Sequence, residues 1–350
     1  SETVANNSLV VECGDRSRYI GYDDIYLYEP NMTSYSYNAS FDGEGAITSA
    51  IDYVVNEEMP QVYVLEGHGE AELPEAFSDQ IEKENMELTT FSLLTEDSVP
   101  EEADCVLIYA PASDISREEK DLLAKYVSGG GKLMVLAGPV ENGTLENLYS
   151  LLEDYGVEAA EGIVVETDRG HYAFQAPYIL LPNLQSSEIT DPLIQEHYYS
   201  IIPIAQGLTV KGADSAEVTE LLTTSETAFS KTDGYGLTTY EKEEGDTDGP
   251  FAVAVSVACG NDGQMIWFTS SHFLDDMYNA YSSGANLDLG MNALSSLIGE
   301  SEAVAIRSKS LNYNYLTISD STASLLKTVM IGVFPLLYLG IGICVVVRRR

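Results

Sequence analysis

Basic residues are scarce in this sequence of 350 residues, which holds 17 lysines and arginines against 56 aspartates and glutamates. The formal net charge is −39 at pH 7. A surface with such an excess of negative charge repels phosphate backbones and anionic lipid headgroups. We therefore exclude nucleic acid as a partner and expect a solvated extracellular surface.

Cysteine is also rare, with four residues, Cys13, Cys105, Cys259 and Cys344. None of them belongs to a CxxC pair or has the spacing of a metal ligand set. The sequence thus indicates no disulfide scaffold, and this sparing use of cysteine is typical of an exported bacterial protein. Cys105 falls within an apolar strand and is interpreted as a small core residue.

The sequence motifs of several enzyme and metal-site classes are missing. No G-x-S-x-G or G-x-C-x-G elbow, Walker A loop, G-x-G-x-x-G loop or H-E-x-x-H motif is present. The run 129–131 of three glycines precedes a strand, so it ends a helix rather than binding phosphate. The acidic run 241–249 lacks the loop pattern of an EF-hand and is interpreted as a solvated loop. We predict no catalytic residue, no metal and no cofactor.

A long apolar run is present near the end of the chain. Residues 328–347 have no charged side chain, and a helix of about 20 residues spans the roughly 30 Å hydrocarbon core of a bilayer. Arg348, Arg349 and Arg350 follow, and the positive-inside rule places them in the cytoplasm. We therefore predict a transmembrane helix over residues 325–347 that contacts the lipid bilayer, a cell-membrane location, an extracytoplasmic bulk and a cytoplasmic C-terminus.

Small and helix-bending residues interrupt this predicted helix. Gly332 and Gly340 leave notches where another helix approaches closely, and Pro335 favours a kink. We predict that these three residues form a helix contact surface. Ordinary glycine usage in membrane helices is the alternative interpretation.

Strands alternate with amphipathic helices over residues 44–166, which we interpret as an α/β core. Strands are predicted at 61–66, 88–93, 104–110, 132–137 and 162–166, with a first helix at 44–56. Ser116 followed by Glu119 is a capping box, which predicts the start of another helix. Such alternation across short loops indicates a mostly parallel, flavodoxin-like sheet covered on both faces.

The other parts of the chain have weaker patterns. Residues 167–250 are predicted to be an insertion or small subdomain with β content, and residues 251–307 to complete the α/β domain. This completion includes a hairpin of strands 251–258 and 264–269, a helix and a short strand at 304–307. Residues 1–43 are an N-terminal segment that we expect to be incomplete, 308–324 a linker, and 325–350 the transmembrane helix with its arginine tail.

Ligands of open α/β sheets gather at the carboxyl ends of the strands, so the loops after each strand are candidate sites. Two of the four histidines fall in such loops, and His68 lies beside Glu70 between permissive glycines. The predicted ligand-binding residues are Gly67, His68, Gly69, Glu70, Ser113, Ser271 and His272. The alternative is that the two glycines only make a tight turn, in which His68 and Glu70 bond local backbone.

Several of these features occur together in a fixed order. They are FDGE at 41–44, GHGE at 67–70, the strand 103–111 followed by Ser116 and Glu119, YVSGGGK at 126–132, and the terminal apolar run with its arginines. Over roughly residues 8–350 this set resembles the extracytoplasmic auxiliary proteins of ABC transporters, the GldG-like family of gliding motility.

The resemblance implies a bacterial membrane protein beside an ABC permease and its ATPase, with a class I amidotransferase-like domain that lacks the nucleophile. Members usually carry a further N-terminal membrane helix, so we expect this sequence to be a fragment. A carbohydrate or cell-wall ligand is the expected occupant of the His68 loop.

Two main function hypotheses result. The first is a non-catalytic, membrane-anchored auxiliary subunit that binds a ligand or couples to the permease. The second is an extracellular hydrolase or amidotransferase-like enzyme that uses His68, Glu70 and either Ser113 or His272 on cell-wall or carbohydrate material. A surface adhesion or scaffold protein is a third.

Overall fold

The structure is a computed structural model that describes residues 7–31, 36–56, 59–211, 217–299, 309–310, 327 and 329–349. The chain divides into two compact units. The large unit consists of Ser1–Tyr26 and Asp42–Ser308, and the small unit of Leu27–Phe41 and Lys309–Arg350. Each is described by itself.

The described strands, numbered in chain order, are β1 Leu9–Cys13, β2 Arg16–Ile20, β3 Tyr26–Asn31, β4 Ser36–Phe41, β5 Gln61–Leu65, β6 Glu87–Phe91, β7 Cys105–Tyr109, β8 Lys132–Leu136, β9 Val157–Ala159, β10 Ile163–Val165, β11 Ile179–Leu180, β12 Asn183–Leu184, β13 Ile202–Pro203, β14 Leu208–Val210, β15 Glu217–Thr223, β16 Phe229–Lys231, β17 Thr247–Asp248, β18 Ala252–Gly260, β19 Gly263–Phe268 and β20 Lys309–Ser310. The described α-helices are α1 Tyr22–Ile25, α2 Gly43–Val55, α3 Glu75–Lys83, α4 Arg117–Ser128, α5 Glu146–Glu153, α6 Asp191–Gln195, α7 Asp276–Tyr281, α8 Ala285–Ile298 and α9 Phe334–Arg348. Short 3₁₀ turns occur at Gly234–Gly236 and His272–Leu274, and a π-helical segment at Val329–Val333.

The large unit is built on a sheet with the strand order β12-β15-β18-β19-β8-β7-β5-β6, which β14 and β9 extend. Pairing is parallel from β19 through β8, β7 and β5 to β6. Taken in chain order, these five strands lie as 2-1-3-4-5, the flavodoxin-like order. The predicted α/β class with its parallel, flavodoxin-like sheet is therefore confirmed. The predicted hairpin is confirmed as well, because β18 pairs antiparallel with β19.

Helices cover both faces of this sheet, because successive side chains of a strand point to opposite sides. Phe77 of α3 and Leu289 of α8 pack in one apolar core with Leu107 of β7. Leu123 of α4 packs in the other core with Ile108 of β7. All five residues of β7 are buried, as a central strand between two helical layers requires.

The first predicted helix is present as α2, and its buried face carries its smaller apolar residues. Ala46, Ala50 and Val54 are buried, whereas Ile47, Ile51 and Val55 are exposed. The buried face packs near the β1-β2 hairpin, where Ile20 joins Ala46 and Ala50 in a small core. Small side chains allow this close approach, so size decides which face is buried.

The strand predicted near residues 162–166 forms as β10 but does not extend the parallel sheet. It pairs antiparallel with β16, which in turn pairs with β17. A Cβ at Gly162 would lie 1.8 Å from the carbonyl oxygen of Lys231. The backbones therefore approach as only glycine permits, and this directs β10 onto β16.

The acidic run 241–249 has an anchor that the interpretation as a solvated loop did not include. Lys231, at the end of β16, is buried and lies 3.3 Å from the carboxylate of Asp246, itself only 3% exposed. Glu243 also pairs with Lys231. Most side chains of the run remain exposed, so the loop is solvated outside and fixed to one buried cation inside.

The small unit contains a three-stranded sheet with the order β20-β4-β3, and the helical segment that ends with α9. Of the 15 residues of α9, all but Arg348 lie inside the predicted transmembrane span 325–347. Residues 325, 326 and 328 of that span fall outside the described part of the chain. Within the described part, no helix has both the length and the hydrophobicity that a membrane crossing requires. The strand predicted at 304–307 and most of the predicted linker also fall outside it.

Candidate functional site

The candidate site lies where neighbouring parallel strands lead to opposite sides in the strand order. From β5 the chain continues to the edge strand β6, whereas from β7 it continues to β8. The loops after β5 and β7 therefore diverge, and a crevice at such a switch point is where open α/β sheets bind ligands. These loops hold the predicted residues 67–70 and Ser113.

His68 is the centre of a buried cluster. Its side chain is 6% exposed, and its Nδ1 lies 3.1 Å from Oε1 of Glu70. The other oxygen of Glu70, Oε2, accepts hydrogen bonds from the backbone N–H groups of His68 at 2.7 Å and Gly67 at 2.9 Å. Glu70 thus bonds the backbone of its own loop with one oxygen and holds the imidazole ring of His68 with the other.

A second carboxylate holds the other side of the imidazole ring. Nε2 of His68 lies 3.1 Å from Oε1 and 3.2 Å from Oε2 of Glu119. Glu119 is the third residue of α4, and its Oε2 also accepts from the backbone N–H of Ser116, which in turn caps Glu119. The predicted capping box is confirmed. It also ties the loop after β5 to the helix after β7, a role that the sequence pattern did not indicate.

The two glycines of the loop meet a conformational requirement. Gly67 has φ +133° and Gly69 has φ +74°, values that residues other than glycine rarely adopt. A Cβ at Gly67 would also lie 2.7 Å from Cδ1 of Leu94. The tight-turn interpretation is therefore correct for the glycines, and the side chain of Glu70 bonds local backbone as that alternative proposed. His68, by contrast, reaches across to Glu119.

Each charged group of the cluster stabilises the charged form of its neighbours. The hydrogen bond to Glu70 raises the pKa of His68 above its ordinary 6.5, opposed by burial and aided by the charge of Glu119. Burial raises the pKa of Glu70, but its bonds to His68 and to backbone N–H groups prevail and hold that pKa below the ordinary 4.5. Burial likewise raises the pKa of Glu119, but its bonds to Ser116 and the charge of His68 lower it overall. An imidazolium between two carboxylates is the favoured state.

We expect the stability that this cluster contributes to have a maximum between the two titrations. The contribution of His68 is fully present below its unfolded pKa of 6.5 and is lost as pH rises through the higher folded value. The contributions of Glu70 and Glu119 are present above 4.5 and are lost as pH falls through their lower folded values. Urea unfolding of the wild-type chain and of His68→Gln, repeated at several pH values across both titrations, gives the difference between their free energies of unfolding. This difference measures the contribution of the cluster. A pH-independent difference between the two proteins would contradict the prediction.

Ser113 touches the same loop but not the imidazole ring. Its hydroxyl donates to the backbone carbonyl of His68 at 3.0 Å, and its N–H donates to the same oxygen. The residue that turns sharply at the end of β7 is Ala110, with φ +46°. A nucleophile elbow would place Ser or Cys on such a turn, and an alanine methyl has no such chemistry.

Ser271 and His272 lie after β19 and form a separate group. The imidazole Nδ1 of His272 lies 3.1 Å from Oδ2 of Asp275, which raises the pKa of His272 despite the opposing effect of burial. Ser271 is buried, and its carbonyl accepts from the hydroxyl of Tyr109 at 3.5 Å. No hydrogen bond among the described residues joins either of them to His68 or Ser113.

An open cavity of about 580 Å³ adjoins the cluster. Its lining residues are Leu93, Leu94, Glu96, Asp97, Ser116, Glu118, Glu119, Asp121 and Leu122. Five carboxylates at one opening suit a neutral or cationic group rather than an anion. Within the described residues, no group of three or more His, Cys, Asp or Glu side chains is arranged to hold a metal ion.

Solved structures share parts of this fold. The N-terminal domain of mmIFT52 superposes with a TM-score of 0.51 at 17% identity, over 68% of this chain and 97% of that one. This similarity concerns the fold alone. A glutamine amido transferase from Methylobacillus Flagellatus superposes with a TM-score of 0.37 at 9% identity, over 75% of this chain and 100% of the other. No curated protein sequence matches the chain.

A sequence model of one protein family covers the part of the chain that builds the sheet and the site. The family is described as an ABC-type uncharacterized transport system, and its model matches residues 59–293. This range holds the five parallel strands, the His68 cluster and His272. The chain therefore belongs to this family of auxiliary proteins of ABC transport systems.

Proposed function

We propose that the chain is a non-catalytic, membrane-anchored, extracytoplasmic subunit of a bacterial ABC transport system, of the GldG-like type. Membership of the family supports a role in an ABC transport system. The uncharged run 328–347 with its three terminal arginines supports an anchor and its orientation. The net charge of −39 supports a solvated extracytoplasmic surface.

The observation that carries the non-catalytic part is the state of His68. Both ring nitrogens are engaged by buried carboxylates, Glu70 on one side and Glu119 on the other. A general base needs one nitrogen free to take the proton of a nucleophile or a water molecule. With its pKa raised, the imidazole is protonated, and its two N–H groups donate one to Glu70 and one to Glu119.

The enzyme hypothesis lacks the other parts that it requires. Ser113 donates to a backbone carbonyl rather than to an imidazole, and no hydrogen bond among the described residues joins it to His272, which pairs with Asp275. The strained turn after β7 presents Ala110. We therefore favour a subunit that binds a ligand or couples to the permease through a rigid domain.

Co-purification tests this proposal. The full chain, tagged and extracted from its native membrane in mild detergent, is expected to recover an ABC permease and its ATPase, identified by mass spectrometry. A matched control replaces residues 325–347 with an unrelated membrane helix, which keeps the domain at the membrane but removes the proposed contact surface. Repeated recovery of the chain without either subunit would overturn the proposal.

We expect Gly332→Leu with Gly340→Leu to reduce permease recovery by about tenfold, since close helix packing in membranes depends on small residues. Among the described residues, a Cβ at Gly332 or Gly340 meets no heavy atom within 4 Å beyond the backbone of its own helix, so we expect the added side chains to clash with a partner helix. Val345→Leu, at an exposed position of α9, is the matched control and should leave recovery unchanged. An intact complex in the double variant would exclude this docking surface.

A further inference from the structure

Exposed aromatic side chains gather in the part of the large unit that follows residue 170. Phe174 is 51% exposed, Tyr199 51% and Tyr281 44%. The rings of Phe174 and Tyr281 meet edge-on with centroids 4.7 Å apart, and the hydroxyl of Tyr199 donates to the carbonyl of Tyr281 at 3.1 Å. Large exposed aromatic groups in mutual contact are uncommon on a surface without a binding role.

A second group adjoins the first through α7. The rings of Tyr178 and Tyr240 lie 5.8 Å apart at an angle of 36°, and Tyr240 is 44% exposed. Tyr178 directly precedes β11, which pairs with β13, and β13 contacts the turn His272–Leu274 that leads into α7. Tyr278 and Tyr281 are one turn apart on α7 and share a face. We call the residues Phe174, Tyr178, Tyr199, Tyr240, Tyr278 and Tyr281 the aromatic surface.

Polar groups border the aromatic surface where β19 ends. Asp275 precedes α7 and pairs with His272, and both side chains are nearly half exposed. The pair offers a carboxylate acceptor and an imidazole donor to a ligand, in addition to the phenol hydroxyls. The carboxyl end of a parallel strand is also the usual ligand edge of such a sheet.

We propose that the aromatic surface binds a neutral carbohydrate chain. The C–H faces of sugar rings pack on flat aromatic rings, and sugar hydroxyls exchange hydrogen bonds with phenols, a carboxylate and an imidazole. Tyrosine supplies both kinds of contact at little cost in side-chain entropy. This inference deepens the proposed function, since it names the ligand class of the auxiliary subunit and places the ligand on this surface rather than on the His68 loop.

Charge and the arrangement of the rings exclude other ligand classes. A chain with a net charge of −39 repels polyanions. A quaternary ammonium group is held over ring faces, whereas the rings of Phe174 and Tyr281 meet edge-on and those of Tyr178 and Tyr240 are tilted by 36° towards each other. Phenol hydroxyls beside a carboxylate and an imidazole suit a ligand rich in hydroxyl groups.

Titration of the purified full chain with neutral hexasaccharides of glucose, mannose and N-acetylglucosamine tests the proposal. A detergent without a sugar headgroup is required, because maltoside or glucoside detergents would compete. We expect at least one hexasaccharide to bind, and Tyr240→Ala and Tyr281→Ala each to weaken binding by about tenfold. Tyr22→Ala is the matched control, since Tyr22 is 45% exposed, stacks on Tyr26 and lies outside the aromatic surface; its affinity should not change.

Any other result of the sugar titrations overturns the inference. Wild-type chain that binds none of the sugars, or affinity that Tyr22→Ala lowers as much as Tyr240→Ala, would refute a carbohydrate site here. Binding of choline instead of sugars would assign the surface to cations, and loss of permease recovery in Tyr240→Ala without sugar binding would assign it to a protein partner. Failed sugar binding with intact co-purification rejects this inference alone, whereas sugar binding without co-purification rejects only the proposed function.

Discussion

Glu119→Ala is expected to lower the free energy of unfolding by about 3 kcal/mol, the scale of breaking a buried ion pair by removing one partner. The carboxylate of Glu119 is 5% exposed and serves both Nε2 of His68 and the N–H of Ser116. Its removal leaves a buried imidazolium with one carboxylate and the N–H of Ser116 without its acceptor, while the bond from the backbone N–H of residue 119 to Ser116 Oγ remains. The loop after β5 also loses its tie to the helix after β7.

Urea unfolding of the full chain at about pH 5.5, followed by fluorescence of the single tryptophan, measures this loss. Trp267 is buried in the core between the sheet and α4 and α5. Glu118→Ala is the matched control, because Glu118 lies in the same first turn but is exposed; we expect a change of about 0.5 kcal/mol or less. Equal losses in the two variants would show that Glu119 acts only through the charge of the first turn.

The parallel sheet could be predicted from the sequence because residues close together along the chain determine each of its strands and helices. The apolar runs of β5, β7, β8 and β19 are short and bounded by glycine, proline or polar residues, and the amphipathic helices α3 and α4 separate the first three of these strands. Strands that are apolar on both faces favour a parallel sheet with helices packed on both sides. The same locality made the capping box of Ser116 and Glu119 readable, since its two residues are three apart.

The site could be predicted only in part because its contacts join distant residues. Glu119 is 51 residues from His68, and a capping box looks the same in sequence whether or not an imidazole reaches it. Sequence position placed His68 and His272 correctly after their strands but could not give their partners. The aromatic surface was missed for the same reason, since Tyr199 and Tyr281 are 82 residues apart and exposed tyrosines have no periodic pattern.

The second large expected effect is at Asn286, whose side chain also makes hydrogen bonds to residues that are distant in the sequence. Asn286→Leu should lower the free energy of unfolding by about 4 kcal/mol, since each buried polar group left unpaired costs about 1–3 kcal/mol. The Asn286 side chain is fully buried. Its Oδ1 accepts from Ser200 Oγ at 2.7 Å and from Ile201 N–H at 2.9 Å, while Nδ2 donates to the carbonyls of Ile201 and Phe273 at 2.8 and 2.6 Å. Leucine satisfies none of these groups.

Asn292→Leu is the matched control on the same helix α8. Asn292 is also buried, but within the described part of the chain its side chain makes one hydrogen bond, to the carbonyl of Ile189 at 3.0 Å. We expect a loss of about 1 kcal/mol. Because Asn286 holds the carbonyl of Phe273, it also fixes the turn that presents His272 and Asp275 beside the aromatic surface. Sugar affinity measured where Asn286→Leu is still folded should therefore fall, whereas in Asn292→Leu it should not. If the two variants unfold at the same urea concentration, side-chain volume rather than the hydrogen-bond set determines the stability of this helix.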